Sequence, residues 1–370
     1  MQITCKCGQG LYVDGDIKGV KLACVRCGGD IVLPTQKTAL VTGLGGSIGI
    51  HVFAHLMHNT DWNVVGLDSF HHKGYRDRVT AMLEAHPDWA PRLRSLQHDL
   101  TCPISPELQK EIGKVDYVLH LAALSDVFFS HTNPVYTIQN NVNSTLVMLE
   151  YARVVKPEQF IYFSTDEVYG PVEKGGAHKE WAPHKPSNAY AASKAASENI
   201  CYSYWRSYGV PVIITNTMNN FGEFQSSSKF PVIVQKKVLA GEEVTIHGNE
   251  KEAGTRFYIH SRNASDALLH IMKIGARQHE VGTIDEPHRY HIVGDECLSN
   301  LDMAQTIADM MGKPLKYKVV DFHKDNPGHD IHYGLQDNKL RASGWKQPHD
   351  FKTSMKNTLD WQMQNPSWIK

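Results

Sequence analysis

Two adjacent carboxyl groups follow a strand-like apolar run near the middle of the chain. Phe160 to Phe163 is typical of a buried strand, and Thr165, Asp166 and Glu167 come soon after it. In an open α/β sheet, ligands bind at the carboxyl ends of the strands. Neighbouring acids at such a place can be given different pKa values, so that one acts as an acid and the other as a base. An isolated Asp-Glu pair is more often a solvated turn, so its interpretation depends on the rest of the chain.

A glycine-rich turn with the spacing of a dinucleotide-binding element lies earlier in the chain. A strand-like run, a turn with glycines and an amphipathic run follow one another over residues 38 to 57. Glycines let the backbone approach a pyrophosphate, which then sits on the helix N-terminus. The next strand-like run ends in Asp68, whose carboxylate would bind the adenosine ribose hydroxyls. Because no basic residue follows Asp68 immediately, the pattern favours NAD over NADP. The residues of the turn that we expect to contact the cofactor are Gly43, Gly46, Ser47, Ile48 and Gly49.

A tyrosine and a lysine four residues apart lie at the start of a segment rich in Ala and Ser. A spacing of four puts Tyr190 and Lys194 on one face of the predicted helix. The ammonium, together with an oxidised nicotinamide, is expected to lower the pKa of the phenol from about 10 towards neutrality. Such a phenol can deprotonate a substrate hydroxyl during hydride transfer.

Four of the seven cysteines lie within the first 27 residues. They form two short glycine-backed turns separated by a hairpin-like segment, which is the arrangement that a structural zinc site needs. Two disulfides are the alternative, but they are rare in a cytosolic chain. The segment is too short to hold a core without metal. The expected zinc ligands are Cys5, Cys7, Cys24 and Cys27.

Alternating strand-like and helical segments would position the predicted site. Two strand-like runs, residues 93 to 100 and 115 to 121, end where a cofactor could be contacted, and a helical stretch follows the second. The order predicts an α/β fold with a doubly wound parallel sheet. Further cofactor contacts are expected from Asp99, Leu100, Ala122, Ala123 and Asn141.

Composition excludes several classes of protein. The 370 residues carry a net charge of −1 with acids and bases mixed, which argues against a nucleic-acid or anionic-membrane binder driven by bulk charge. No apolar run approaches the roughly 18 residues of a membrane span, and no secretory signal is visible at the start. We therefore expect a cytoplasmic protein without nucleic-acid or membrane partners.

Taken together, these motifs resemble an extended short-chain dehydrogenase/reductase of the NAD-dependent nucleotide-sugar epimerase/dehydratase family. The similarity is greatest to nucleotide-sugar 4,6-dehydratases, especially those that act on dTDP-glucose, because the Thr-Asp-Glu triplet at 165 to 167 is specific to them. It extends from about residue 38 to the C-terminus, since Asn219-Asn220-Phe221-Gly222, Arg256 to His260 and Pro327 to Asp330 resemble later motifs of that family.

The resemblance implies an active site and a reaction. Tyr190, assisted by Thr165, would take the C4 hydroxyl proton while NAD accepts the hydride, and Lys194 would hold the nicotinamide ribose. Glu167 would then remove the C5 proton, and a protonated Asp166 would donate to the departing C6 hydroxyl. We also expect the protein to form a homodimer. The nucleotide-sugar substrate would be bound by Ser125, Asn219, Asn220, Lys229, Arg256 and His329.

The chain departs from the family pattern in two places. Leu124 to Phe129 differs from the usual sequence, and Asn326 stands where an Arg usually precedes Pro-Gly-His-Asp. Without that Arg, Arg256 and Lys229 must neutralise more of the diphosphate. The sugar or the base can therefore differ from those of dTDP-glucose.

We expect three parts: a zinc ribbon over residues 1–35, an NAD-binding Rossmann domain over 36–218, and a nucleotide-sugar-binding domain over 219–370. Some segments of the last part return to the Rossmann core. Residues 230–239 and 298–311 are expected to be helices, and 244–248 a strand. Two other functions compete with the dehydratase: a UDP-sugar 4-epimerase or decarboxylase on the same fold, and a non-catalytic nucleotide-binding protein that recruits a partner through the ribbon.

Overall fold

A computed structural model describes residues 2–4, 7, 9–12, 22–31, 36–72, 74–248, 253–281, 283–321 and 331–369. The chain forms two compact units, Met1–Lys37 and Thr38–Lys370. Three residues named above lie outside the described residues: Cys5, Asn326 and His329.

The first unit contains two short antiparallel strand pairs. Strand β1 (Gln2–Thr4) pairs with β2 (Gly10–Tyr12), and β3 (Leu22–Ala23) pairs with β4 (Asp30–Ile31). The turn between β3 and β4 is closed by two backbone hydrogen bonds, from Cys24 N to Gly29 O and from Gly28 N to Cys24 O, each 2.8 Å long. It carries two of the cysteines.

The second unit is built on a seven-stranded parallel sheet with the order β14-β10-β9-β8-β5-β6-β7. From the central β5 the chain winds first to one edge and then, starting at β8, to the other. This confirms the predicted doubly wound α/β fold, whose ligand crevice lies where the winding changes direction. The strands are β5 (Thr38–Thr42), β6 (Asn63–Asp68), β7 (Leu93–Gln97), β8 (Tyr117–His120), β9 (Gln159–Thr165), β10 (Val212–Thr217) and β14 (His288–Ile292).

Helices cover both faces of this sheet. Alternate residues of β5 point to opposite faces: Ala39 and Val41 belong to one apolar cluster, and Leu40 belongs to another. Burial of the sheet on both sides explains why central strands such as β5 and β9 are mostly apolar. The helices are α1 (Gly49–Asn59), α2 (Tyr75–Ala85), α3 (Pro106–Ile112), α4 (Val127–Thr132), α5 (Pro134–Val155), α6 (Ala189–Tyr208), α7 (Phe230–Ala240), α8 (Ser261–Ile274), α9 (Asn300–Met310), α10 (Asn338–Ala342) and α11 (Phe351–Gln364), with 3₁₀ turns at Pro87–Arg92, Asp166–Tyr169 and Pro366–Trp368.

A smaller layer is formed by the later part of the chain. Strands β11 (Asn219–Phe221), β13 (Thr255–His260) and β15 (Glu296–Ser299) form one sheet, and β12 (Val244–Gly248) pairs with β16 (Tyr317–Asp321). Helices α7, α9 and α11 pack with these strands in a separate apolar cluster. Helix α8 and strand β14 instead lie with the large sheet.

The structure also tests the helices and strand expected in this layer. The predicted strand coincides with β12, and the first predicted helix is α7, which extends one residue further. The second was predicted to start at Leu298, but α9 begins at Asn300. The reason is a capping box, in which Ser299 and Asp302 bond each other's backbone and end the preceding strand.

Within the described part of the chain, none of the helices is both long enough and apolar enough to cross a membrane.

Candidate active site

A cleft of about 580 Å³ lies at the carboxyl ends of the central strands of the large sheet and extends to α7 and β13. It brings together most of the residues that the sequence analysis selected, although these come from distant parts of the chain. The predicted residues that line it are Gly43, Gly46, Ser47, Ile48, Gly49, Asp68, Asp99, Leu100, Ala122, Ala123, Ser125, Thr165, Asp166, Glu167, Tyr190, Lys194, Asn219, Asn220, Lys229 and Arg256.

The glycine-rich turn joins β5 to α1 through very close backbone contacts. Gly43 has a φ of +71°, and a Cβ there would lie 3.0 Å from the backbone of Ala122. A Cβ on Gly49 would lie 2.0 Å from the carbonyl oxygen of Gly43. Helix α1 has no side-chain cap at its first turn. The N-terminal end of this helix and the glycine turn beside it fit the pyrophosphate of a dinucleotide.

Asp68 ends β6 beside this turn. Its Oδ2 accepts a hydrogen bond from Gly45 N at 2.9 Å, and its Oδ1 accepts one from Phe70 N at 2.8 Å. Burial raises the pKa of Asp68, while the two backbone bonds oppose this shift. Because each carboxylate oxygen has two lone pairs, both oxygens retain acceptor capacity for ribose hydroxyls.

The two adjacent acids after β9 have different surroundings. Asp166 is buried, accepts a 2.9 Å hydrogen bond from the Thr165 hydroxyl at Oδ1, and has no hydrogen-bond partner at Oδ2 among the described residues. Burial, and then the negative charge of Glu167, raise its pKa to about 7. Glu167 is only half-buried, and its Oε2 accepts a 3.0 Å hydrogen bond from Asn188. One carboxyl can thus stay protonated near neutral pH beside another that is held by an amide donor.

Tyr190 lies in the first turn of α6, which Asn188 caps through a 2.8 Å bond to Ala191 N. The phenol is hydrogen-bonded to Thr165. Burial, followed by the charges of Glu167 and Asp166, raises the pKa of Tyr190 above its usual value. In the chain without cofactor the pKa of the phenol is therefore raised, and the expected joint effect of Lys194 and an oxidised nicotinamide stays a prediction.

The contacts of Lys194 explain the difference. Its ammonium donates a 2.7 Å hydrogen bond to the carbonyl oxygen of Phe163 and lies 4.3 Å from the centre of the Tyr162 ring. Burial lowers the pKa of Lys194 to about 8. If the pKa of the Tyr190 phenol is lowered during the reaction, the positive charge of an oxidised nicotinamide would have to lower it.

Asn141 does not line the cleft, contrary to the assignment as a cofactor contact. Its side chain is buried in α5, where Nδ2 donates to Leu124 O at 3.0 Å and to Ser193 Oγ at 2.8 Å. Its Oδ1 accepts from Leu124 N at 2.8 Å. Asn141 therefore ties the loop after β8 to α5 and α6 from behind the cleft wall.

The end of the cleft away from the glycine turn contains two cationic side chains. Lys229 donates a 3.0 Å hydrogen bond to Ser125 O across the cleft. Arg256 is buried, bonds Thr255 O and Ile331 O, and stacks 4.4 Å from the centre of the Tyr333 ring. Both can approach an anionic group in the cleft, and Arg256 is held in place by its neighbours.

Several lining residues were not selected from the sequence. They carry no local motif and reach the cleft only through the tertiary fold, apart from Ser69, which directly follows Asp68 and could have been found by the same strand-end argument. These residues include Ser69, His72, Tyr75, Asn140, Met218, Phe230, His247, Asn300 and Tyr333.

Comparison with known sequences gives consistent relatives. Residues 39–284 match the NAD dependent epimerase/dehydratase family. The chain is 30% identical over 356 residues to dTDP-glucose 4,6-dehydratase 1 of Escherichia coli, covering 89% of this chain and 94% of that protein. It is 31% identical over 343 residues to a probable dTDP-glucose 4,6-dehydratase of Sinorhizobium fredii, covering 89% and 93%.

Solved structures show the same fold. DesIV, a dTDP-glucose 4,6-dehydratase from Streptomyces venezuelae with NAD and TYD bound, has a TM-score of 0.77 and 27% identity, covering 90% of this chain and 100% of that one. UDP-glucuronic acid 4-epimerase from Bacillus cereus, in complex with UDP-glucuronic acid and NAD, has a TM-score of 0.77 and 23% identity, covering 89% and 99%. The second similarity shows the fold alone.

The raised pKa of Asp166 predicts a pH-dependent stability. Between about pH 4 and pH 7 the folded state keeps a proton that the unfolded state has lost, so stability falls as the pH rises through this window. The variant Asp166→Asn lacks this titration. As the pH rises from 4 to 8, the unfolding free energy of the variant relative to that of the parent should therefore increase by on the order of 3 kcal/mol. Urea unfolding at both pH values measures the difference.

The exposed Asp88 provides a matched control. Asp88→Asn should shift the unfolding free energy by a similar small amount at both pH values. A stability difference between Asp166→Asn and the parent that stays constant from pH 4 to pH 8 would contradict the raised pKa.

Proposed function

Since this chain belongs to the NAD-dependent epimerase/dehydratase family, we propose that it is a nucleotide-sugar 4,6-dehydratase that converts an NDP-hexose to the NDP-4-keto-6-deoxyhexose. The observation that carries the proposal is the pair Asp166 and Glu167 in the cleft beside Tyr190. One carboxyl has its pKa raised to about 7 and the other accepts a bond from Asn188. Elimination of water needs both an acid and a base on the substrate, and this pair supplies them.

The first stage of the reaction is oxidation at C4. Tyr190 removes the proton of the C4 hydroxyl, and the Thr165 hydroxyl, which is hydrogen-bonded to the phenol, orients it. NAD, when bound in the cleft, would supply the hydride acceptor for this oxidation and the hydride donor for the later reduction at C6. Lys194 lies on the same face of α6 as Tyr190, and its ammonium would bind the ribose of the nicotinamide.

The second stage is loss of water across C5 and C6. The C4 ketone acidifies the C5 hydrogen, and Glu167 accepts that proton. Asp166, neutral below about pH 7, donates its proton to the C6 hydroxyl as the C–O bond breaks, so that water leaves. Oδ2 of Asp166, which has no hydrogen-bond partner among the described residues, is the atom that can make this bond.

The residues of the cleft also support NAD as the cofactor rather than NADP. Gly43 and Gly49 leave no room for side chains at the turn, and Asp68 faces the cleft beside it. A carboxylate accepts hydrogen bonds from the two hydroxyls of an adenosine ribose and repels a 2′-phosphate. We infer that the chain discriminates against NADP for this reason.

Two cationic side chains indicate where the diphosphate of the nucleotide sugar would bind. Arg256 and Lys229 are the cationic side chains at the far end of the cleft, where they would neutralise a diphosphate. Relatives named for dTDP-glucose support that substrate, and UDP-glucose is the other candidate. His329 and Asn219 with Asn220 remain proposed substrate contacts.

Two other functions compete with the dehydratase. A UDP-sugar 4-epimerase or decarboxylase has the same fold, but neither reaction needs both Asp166 and Glu167. A non-catalytic nucleotide-binding protein would not need the acids, Tyr190 and Lys194 in one cleft. Mass spectrometry of several nucleotide sugars after incubation, together with the configuration at C4, distinguishes the three. Loss of water indicates the dehydratase, an unchanged mass with inverted C4 indicates the epimerase, and no change in any sugar indicates the non-catalytic protein.

We propose a structural zinc site in the first unit. The sulfurs of Cys7, Cys24 and Cys27 lie within 4.8 Å of one another, and those of Cys7 and Cys24 are 3.7 Å apart. A tetrahedral site with Zn–S bonds of about 2.3 Å requires sulfurs about 3.8 Å apart, so the residues fit the metal. Cys5 would be the fourth ligand. A thiolate site also agrees with the proposed cytoplasmic location, where thiols stay reduced.

We also propose that two copies associate through α4, α5 and α6. These helices expose large apolar side chains, among them Phe128, Val135 and Tyr136, of which the first two are each 66% exposed. A second copy of the same surface would cover them, as symmetric dimers do. A monomeric mass in solution would contradict this proposal. We also keep as proposals the domain boundaries at residues 35 and 218, which separate the three expected parts of the chain.

Three variants separate the roles in the cleft. Tyr190→Phe should block C4 oxidation, so that no reduced cofactor forms on mixing with dTDP-glucose. Asp166→Asn should allow oxidation but slow water loss by on the order of 10²–10⁴-fold, so that bound NADH accumulates. Glu167→Gln should in addition suppress exchange of the C5 proton with deuterated solvent. Single-turnover absorbance of NADH, with mass spectrometry of the sugar, measures all three.

The exposed acid Asp88 again supplies a control, because Asp88→Asn removes a carboxylate far from the cleft. If Asp166→Asn and Glu167→Gln both dehydrate the sugar at the parent rate, the proposed acid and base are wrong.

Asp68→Ala should narrow the difference between the affinities for NAD and NADP, because the carboxylate that repels the 2′-phosphate is gone. Titration of each cofactor into parent and variant gives the two ratios. Equal affinity of the parent for both cofactors would rule out this role for Asp68.

The metal site predicts one zinc per chain in protein purified without chelator. Cys24→Ser should lose the metal, whereas Cys102→Ser, at an exposed cysteine outside the cluster, should keep it. Removing residues 1 to 35 should leave dehydration intact, since no proposed catalytic residue lies there. Absence of zinc from the parent, or complete loss of turnover in a folded truncated protein, would count against the proposal.

A further inference from the structure

A group of buried polar side chains lies behind the turn that carries the two acids, and the proposed chemistry does not use it. Its members are Glu198 on α6, Asn216 on β10, Arg289 on β14 and Tyr169 at the end of the turn, all at most 2% exposed. None of the four is among the described residues that line the cleft. We refer to these four residues as the anchor.

The centre of the anchor is a buried ion pair. Arg289 Nη1 lies 2.5 Å from Glu198 Oε2, and Asn216 Nδ2 donates a 2.7 Å hydrogen bond to Glu198 Oε1. Burial alone would raise the pKa of Glu198, but Arg289 and His184 together hold it at about 2, so the carboxyl stays ionised. The Arg289 guanidinium also lies 4.2 Å from the centre of the Trp181 ring. A buried ion pair contributes little net stability, because both ions lose their hydration.

The anchor is bonded to both ends of the 3₁₀ turn Asp166–Tyr169. At the start of the turn, Asn216 Nδ2 donates a 3.0 Å hydrogen bond to the carbonyl oxygen of Thr165. At its end, Arg289 Nη1 donates a 2.9 Å hydrogen bond to the Tyr169 hydroxyl. Asp166 and Glu167 lie between these two attachments, on a single turn too short to be stable alone.

The anchor is also connected to α6, the helix that carries Tyr190. Tyr190, Lys194 and Glu198 follow one another at intervals of four residues along α6, and therefore lie on one face of that helix. Glu198 thus fixes the turn with the two acids relative to the helix that carries the phenol. Acid, base and phenol must all meet one sugar ring, so their relative placement decides how well each can react.

We propose that Glu198, Asn216, Arg289 and Tyr169 are positioning residues that hold Asp166 and Glu167 in place for the elimination of water. The inference rests on the proposed dehydratase function, and it adds four residues that touch neither cofactor nor substrate. Loss of an attachment should affect the elimination more than the C4 oxidation, because Tyr190 is held by α6 itself.

The direct test is Tyr169→Phe, which removes the hydroxyl that is bonded to Arg289 and also to Glu180 O, Asn216 and His291. Bound NADH should form at nearly the parent rate in a single turnover with dTDP-glucose, while water loss slows by on the order of 10-fold, so that NADH accumulates. The affinity for NAD should not change. Asn216→Ala, which removes the attachment to Thr165, should act in the same direction.

Tyr151→Phe is the matched control, because Tyr151 is a buried tyrosine of α5 whose hydroxyl has no hydrogen-bond partner among the described residues. It should leave both chemical steps at the parent rate. If Tyr169→Phe and Asn216→Ala lower the melting temperature but slow oxidation and water loss equally, the anchor is merely structural and the inference is wrong.

A second measurement does not depend on activity. Hydrogen–deuterium exchange of the peptide amides from Glu167 to Gly170 should become at least about tenfold faster in Tyr169→Phe and Asn216→Ala, and stay unchanged in Tyr151→Phe. Unchanged exchange in both anchor variants would overturn the inference. If the parent dehydrates no nucleotide sugar, the proposed function fails, and the exchange rates still decide whether the anchor fixes the turn.

Discussion

Parallel pairing of the central strands is the constraint on which the rest of the molecule depends. The registers align Thr42 of β5 with His120 of β8, and Ser164 of β9 with Asn216 of β10, so these strands end at one edge of the sheet. Residues that follow the strands then meet although they are far apart in the sequence. The glycine turn, the small residues after β8 and the acid pair after β9 share one cleft for this reason. Because a parallel sheet needs helices on both faces, the same pairing also places α6 behind the cleft.

Burial is the common cause of the charge properties in the cleft. It raises the pKa of Asp166 and of Tyr190, and it lowers that of Lys194, since each shift favours the uncharged form. The neighbouring acids add to the first two shifts. For Asp166 and Lys194 these shifts bring the pKa close to neutrality, where proton transfer in either direction costs least. For Tyr190 burial moves the pKa away from neutrality.

Much of the fold could be predicted from the sequence, because its signals are local. The turn around Gly43, the spacing of Tyr190 and Lys194, and the period of β12 are all read within a few residues. The parts that sequence analysis missed depend on distant partners. Asn141 was assigned to the cofactor, yet its amide is used by Leu124 and Ser193. The pKa of the Tyr190 phenol rises in the chain without cofactor, because the phenol is buried. Neither this burial nor the bond from Lys194 to Phe163 O is visible in the sequence.

Asp166 and Glu167 are adjacent in sequence but have different surroundings, because the turn that carries them points their side chains in different directions. A 3₁₀ turn rotates successive side chains by about a third of a circle, so neighbours point in different directions. Asp166 is directed into the protein beside Thr165, whereas Glu167 reaches Asn188 at the start of α6. A protein named as a UDP-glucuronic acid 4-epimerase has the same fold. The chemistry of this chain therefore depends less on its fold than on which side chains the turn holds at the end of β9, and on how firmly it holds them.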